Sequence, residues 1–402
     1  KPPMLFWLIN ITWEILGVSR SASLIPTYLI SASILFLTQK FSQKLLPRNK
    51  NAHALTPWLI LGALPFLVYG TIIMFDLLVA AALLCVLIAF YDYAQKPKIS
   101  RLLLGGFLLG LGVLSKGPVM YLYALWPLLL YPYWRSESFV TKKKFYCAIG
   151  IATLISFIPV LCWLVPTLLQ TNGDFAFWLI WNQTAGRVSG NFSASHVRPV
   201  YFYLGIAPIL FLPWGFMPSF WRSVKQHRNP KEFSFLLCAT LPVFACFSLI
   251  AGKQPHYLLP LLPFVVIGIS IILSHYPLKR IKHIAIGMVI LFCSGQIIAS
   301  HSLLKRYDLL PIAQFYQDHN KADWAISPSY QGEIGFLSRM EKPITVLEKN
   351  KVQNWFADHP QSFAVIRYNQ PDEISQYTQL YSHPYRGKWI GIFKEKETEE
   401  KQ

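Results

Sequence analysis

QTNGDFAFWLIWNQTAGRVSGNFSASHVRPVYFY, residues 170–203, is the longest polar interruption in a chain made mostly of apolar segments. The sequence on either side of it reads as membrane, so the stretch marks one surface of a helical bundle. Its aromatic residues, among them Phe175, Phe177, Trp178, Trp181, Tyr201, Phe202 and Tyr203, suit the level of lipid headgroups, where amphipathic rings settle. Arg187, His196 and Arg198 lie among them, and cations at such a surface suit a phosphate. The same features also fit a solvated loop with an ordinary aromatic belt.

Composition points the same way. Of 402 residues, 53% are hydrophobic, 15% aromatic and only 14% charged. That excludes an ordinary soluble enzyme and fits a polytopic membrane protein. A net charge of +18 would suggest nucleic acid in a soluble chain, but here Lys and Arg fall in short clusters between apolar spans. Such clustering signals topology and leaves no nucleic-acid partner. The six cysteines lie in or beside apolar segments at spacings that fit no zinc motif, which argues against a structural disulfide or metal site.

Residues 2–17 form a short apolar helix carrying Glu14, expected at the outer interface or entering the bilayer obliquely, and about nine spans are expected within residues 1–301. Residues 55–72 and 201–221 each read as one span, and 102–134 as a helix pair broken at Gly117-Pro118. Five basic clusters punctuate the spans: Lys40 to Lys50, Lys96 to Arg101, Arg135 to Lys144, Arg222 to Lys231, and Lys279 to Lys282. Placing them all in the cytoplasm forces Asp76, Lys116, Arg187, His196, Arg198 and Lys253 onto the opposite, outer surface. Taken singly, Asp76 also reads as a helix cap, and Lys116 or Lys253 as a snorkelling side chain. Gathered on the face that topology leaves poor in cations, they point to an anionic ligand.

From His301 onward the composition turns polar. Short apolar runs at 324–326, 343–347, 363–366 and 389–393 predict strands, and 308–320 and 350–359 predict helices. A small α/β domain over residues 302–402 is therefore expected, placed outside by the parity of the spans, with a disordered tail from Lys394.

Five short motifs follow one another along the membrane part: Lys1-Pro2-Pro3-Met4-Leu5-Phe6-Trp7-Leu8, Met74-Phe75-Asp76, Leu114-Ser115-Lys116-Gly117-Pro118, the run from Arg187 to Tyr203, and Gly252-Lys253-Gln254-Pro255-His256-Tyr257-Leu258-Leu259-Pro260. In this order they resemble motifs of the bacterial polyprenyl-phosphate-dependent glycosyltransferases of the GT-C type. The nearest resemblance is to the aminoarabinose (lipid A) transferase-like group, itself related to protein O-mannosyltransferases. The resemblance implies a mainly α, polytopic GT-C helical bundle with the small C-terminal α/β domain. It also implies transfer of a sugar from a polyprenyl-phosphate donor to a cell-envelope acceptor, lipid A-like, glycan or protein, at the outer face of the inner membrane.

By the same resemblance Lys1, Lys116, Arg187 and Tyr257 handle phosphate, with Lys253 and His196 beside them and Arg198 next to the same motif, while Asp76 orients a sugar or acceptor group. The principal catalytic carboxylate is expected upstream of Lys1, and a chain opening at Lys1-Pro2-Pro3 without an initiator Met reads as a fragment. Membrane lipids are implied partners. No cofactor is required, although the resemblance allows a divalent metal ion. Gln183 stands where the aminoarabinose transferases carry an acidic residue, which leaves the sugar open. Two other readings are a lipid-linked glycan transporter or flippase, and an inactive assembly subunit lacking the carboxylate.

Overall fold

The computed structural model describes residues 2–171, 173, 197–226 and 230–396. Lys1, Arg187, His196, Gln183 and residues 397–402 lie outside the described residues, whereas Lys394 and Glu395, expected in a disordered tail, pair with Thr378 and Tyr377 at the end of a strand. Two compact units divide the chain at Phe292/Cys293.

The first unit is helical: α1 (Met4–Leu16), α2 (Arg20–Leu45), α3 (Lys50–Leu61), α4 (Leu64–Tyr69), α5 (Phe75–Gln95), α6 (Ile99–Lys116), α7 (Val119–Leu129), α8 (Tyr131–Trp134), α9 (Lys142–Leu169), α10 (Phe202–Leu210), α11 (Pro218–Gln226), α12 (Ser234–Leu249), α13 (Leu262–Ile272) and α14 (Leu278–His301), the last running on into the second unit. Among the described residues seven helices are long and apolar enough to cross a membrane, and Met4–Leu16 and Val119–Leu129 are shorter apolar ones. The chain is a multi-pass membrane protein. Polar residues set where several helices start: the side chains of Ser19, Asn49 and Thr141 accept from backbone N–H groups of the first turns of α2, α3 and α9.

The break between α6 and α7 falls at Gly117-Pro118, as the sequence predicts. Two expected continuous spans are instead divided. Residues 55–72 split into α3 and α4 because Pro65, in the first turn of α4, has no N–H with which to continue the α3 ladder. Residues 201–221 split for the same reason at Pro213 and Pro218, giving α10, a short 3-10 turn at Trp214–Phe216, and α11.

Helices α6 and α9 approach closely. Gly106 and Gly110 stand one turn apart on α6, facing Ala152, Ser156 and Pro159 of α9. A Cβ on Gly106 would sit 2.8 Å from the Ala152 carbonyl oxygen, and one on Gly110 would press on the Ser156 carbonyl and the Pro159 ring. This is the small-residue packing by which helices approach closely in lipid, where no hydrophobic drive joins them.

The basic clusters gather at one end of this bundle. Lys44 pairs with Asp92 at 2.5 Å, and Arg101 donates to the Asp92 and Lys96 carbonyls. Val140, between Arg135 and Lys142, donates its N–H to Ala94 at 2.9 Å. Asn51 donates to the carbonyls of Ser274 and Tyr276, and Ser223 meets His275 at 3.1 Å. All five clusters are thereby tied to the end where α2 and α5 finish and α3 begins.

The second unit is a five-stranded sheet, β1 (Trp324–Ser327), β2 (Thr345–Val346), β3 (Phe363–Tyr368), β4 (Tyr377–Tyr385) and β5 (Lys388–Glu395), in the order β2-β1-β3-β5-β4. The first three run parallel and the β3-β5-β4 part antiparallel, with Ala325 opposite Ala364 and Val365 opposite Ile392. Strand alternation sends Ile326, Val365, Ile390 and Ile392 to one face, against Ile312 of α15 (Leu310–Asp318) and Ile334 of α16 (Glu333–Ser338). Ala325, Ala364, Ile366 and Phe393 go to the other, against Val352, Trp355 and Phe356 of α17 (Val352–Asp358).

His383, on β4, has both ring nitrogens shielded from solvent. Burial lowers its pKa below the ordinary value, against an opposing pull from Asp308. The unfolded chain then takes up a proton at a higher pH than the folded one. Stability is therefore full above the ordinary histidine range and falls as pH drops through it. Thermal melting of the protein is expected to lose stability below about pH 6.5, and His383→Phe is expected to flatten that slope; an unchanged slope would remove His383 as its cause.

Candidate functional site

The end of the first unit opposite the basic clusters collects the sequence motifs. α5 carries the chain about 31 Å at 1.5 Å per residue, the short connection 96–98 turns it back, and α6 returns to finish at Lys116. The first turn of α5 and the last residue of α6 therefore meet. Lys116 Nζ lies 2.5 Å from Asp76 Oδ1, with the two side chains 21% and 3% exposed. Asp76 sits in the first helical turn, where the helix dipole favours a carboxylate, yet so deep a charge is stable only when paired. Lys116 supplies the pair and stays within reach of solvent.

The Gly252 to Pro260 motif covers this pair. The ring of Tyr257 lies 4.2 Å from Lys116 Nζ, a cation–π contact. His256 Nε2 stands 3.9 Å from Asp76 Oδ2, and its ring is 6.1 Å from that of Tyr69. The motif is held in place by buried tyrosines. Tyr123 donates its hydroxyl to the Tyr257 carbonyl at 2.6 Å. Tyr203 donates to the Gln254 carbonyl at 3.0 Å and accepts from the Gln254 N–H at 3.2 Å.

Lys253 is 1% exposed and donates to the carbonyls of Arg198 at 2.8 Å and Ile250 at 2.6 Å. Together with the Val197–Gly252 bridge and the Arg198 N–H to Ala251 bond of 3.2 Å, it ties the end of the long polar stretch to the covering motif. The Arg198 guanidinium lies 4.4 Å from the Phe202 ring. Lys253→Met would leave two carbonyls without their donor, so it is expected to lower stability by about 1–3 kcal/mol. Thermal melting in detergent checks this, and an unchanged melting point would mean the bonds contribute nothing.

The N-terminal motif reaches the same place. Pro2 lies against Gly117, 3.9 Å from where a Cβ there would stand, and the Phe6 and Phe75 rings are 5.6 Å apart. Of the candidate residues, Asp76, Lys116 and Tyr257 are thus in contact, and Lys253 and Arg198 brace the same motif; Lys1, Arg187 and His196 lie outside the described residues. His256, Tyr69, Tyr123 and Tyr203 are participants that the sequence reasoning did not select. A signal existed for two of them: His256 is next to Tyr257 in the Gly252–Pro260 motif, and Tyr203 closes the run from Arg187. Among the described residues no group of three or more His, Cys, Asp or Glu side chains is placed to hold a metal ion.

Comparison with known proteins bears on the family resemblance and the fold. Residues 1–163 match the family model of dolichyl-phosphate-mannose-protein mannosyltransferases. The undecaprenyl phosphate-alpha-4-amino-4-deoxy-L-arabinose arabinosyl transferase 2 of Proteus mirabilis is 26% identical over 271 residues, covering 65% of this chain and 47% of that protein. A transferase of the same description from Pseudomonas paraeruginosa is 27% identical over 178 residues, covering 44% of this chain and 31% of its own length. The chain therefore spans less than half the length of these two relatives. Among solved structures, ArnT from Cupriavidus metallidurans bound to undecaprenyl phosphate superimposes with a TM-score of 0.69 at 15% identity, over 98% of this chain and 87% of that one. In motif order and sequence the chain is similar to the aminoarabinose transferases, and it is a multi-pass membrane protein that shares the helical fold of ArnT.

Proposed function

We propose that the protein transfers a sugar from a polyprenyl-phosphate donor to a cell-envelope acceptor, at the outer face of the inner membrane. The observation that carries this reading is the Lys116–Asp76 pair under the Tyr257 ring, at the end of the bundle away from the basic clusters. With those clusters in the cytoplasm, the pair faces outward and the C-terminal unit lies on the outer side.

In the reaction the bond from the anomeric carbon to the phosphate oxygen breaks, and polyprenyl phosphate leaves with the electron pair. An acceptor oxygen forms the new bond and its proton passes to a base. Charge grows on the departing phosphate, so a positioned cation lowers the barrier; Lys116 is that cation here. As the phosphate draws on Lys116, the Asp76 carboxylate is released to accept hydrogen bonds from the sugar, with His256 beside it. A flippase would place its charges near the midplane, whereas these stand at one end.

The test uses the full natural protein in its own membranes, given a labelled undecaprenyl-phosphate-linked aminoarabinose and lipid A. Label appearing on lipid A supports transfer. Label that crosses the membrane while remaining on its carrier would replace this reading with transport.

A further inference from the structure

In the second unit, beyond the C-terminal ends of β1 and β3, Ser329, Lys349, Arg367, Tyr385, Arg386 and Lys388 line a cavity of about 220 Å³. The C-terminal edge of parallel strands is where α/β sheets receive ligands. Four of these six side chains are cationic. Two guanidinium groups flank one ring: Arg367 is 5.2 Å and Arg386 5.1 Å from the centre of Tyr385. Carboxylates answer only part of this charge. Lys349 pairs with Glu373 at 2.5 Å, and Arg367 Nη2 is 3.6 Å from Glu333. Arg367 Nε is buried with no hydrogen-bond partner among the described residues, and there Arg386 and Lys388 make no ion pair.

The backbone adds an independent observation. Arg386 (φ 50) and Gly387 (φ 77) form the two-residue turn between β4 and β5, with Tyr385 paired to Lys388. Both positions are left-handed, and the first favours Asn, Asp or Gly. An arginine there bears backbone strain, and its side chain lines the cavity beside the Tyr385 ring. Strain of this kind accumulates at binding sites.

Against four cations, Glu333 and Glu373 leave two positive charges unanswered. A single carboxylate ligand brings one negative charge, whereas a phosphomonoester brings close to two at neutral pH, with oxygens that match the guanidinium fork. We propose that this cavity binds a phosphomonoester group, carried by a sugar or by a lipid headgroup. Its lining belongs wholly to the second unit, and binding there does not depend on the transfer reaction.

The experiment is calorimetric titration of the full protein in phosphatidylcholine nanodiscs with inorganic phosphate, glucose 1-phosphate and dioctanoyl phosphatidic acid. Saturable binding of glucose 1-phosphate identifies a sugar phosphate as the source, and binding of phosphatidic acid alone identifies a headgroup. Arg386→Asn removes the charge while supplying a residue the turn prefers, so binding is expected to weaken about tenfold or more without loss of thermal stability. Lys388→Gln is expected to weaken it as well. If none of the probes binds saturably, or both variants keep the native affinity, the proposal is overturned.

Discussion

Lys116→Ala is expected to reduce sugar transfer by on the order of 10²- to 10³-fold, the usual cost of removing one preorganised group that stabilises developing negative charge. Transfer of label to lipid A, compared with the parent protein at equal membrane levels, measures it. The substitution also has a structural consequence, because Asp76 is 2% exposed and loses the ammonium 2.5 Å away. A buried charge stripped of its partner costs about 3–5 kcal/mol, so part of any loss could come from unfolding. The double variant Lys116→Ala with Asp76→Asn removes the stability effect, and Asp76→Asn alone measures the carboxylate's own part in transfer. Without the carboxylate's charge the fold is expected to recover its melting point, while transfer stays low. Recovery of transfer in the double variant would mean that Lys116 serves only to neutralise Asp76.

The second large effect is expected at the crossing of α6 and α9. Gly110→Leu puts a side chain where even a Cβ would press on the Ser156 carbonyl and the Pro159 ring. Backbone cannot step aside as a flexible side chain does, so the loss should exceed the about 1–3 kcal/mol typical of overpacking. Gly150 of α9 is the control. Nothing lies within 4 Å of a Cβ there, and Gly150→Ala in mid-helix is expected to stabilise by about 0.5–1 kcal/mol. Thermal melting in one detergent compares all three proteins. Equal melting of the Gly110 variant and the parent would mean that the helices do not rely on this contact.

Much of this architecture is legible in the sequence because a bilayer reduces the options. Apolar runs must become helices, and basic clusters must share a side. The contacts of Lys44, Arg101, Val140, Asn51 and Ser223 gather those clusters at one end, as alternation requires. Placing Asp76 and Lys116 on one surface follows from the same alternation. That they touch depends on the lengths of α5 and α6, which a hydropathy pattern gives only to within a turn or so.

Other features were not legible. Prolines 65, 213 and 218 divide expected spans, although a proline alone does not say whether a helix bends or stops. Lys253 reads as a surface cation but spends its ammonium on two carbonyls, a role set by residues far away in sequence. β4 escaped because Tyr377–Tyr385 is a half-exposed strand with polar residues on both faces, so it lacks the apolar run that marks β1, β3 and β5.

The most direct test of the central claim, that Lys116 beside Asp76 receives the phosphate of a polyprenyl carrier, is the affinity for undecaprenyl phosphate. It is measured on the full protein in phosphatidylcholine nanodiscs, for the parent and for Lys116→Ala with Asp76→Asn. The account expects at least about tenfold weaker binding in the double variant, the loss of one charge-assisted hydrogen bond. Equal affinity in the two proteins, with both folded, would contradict it.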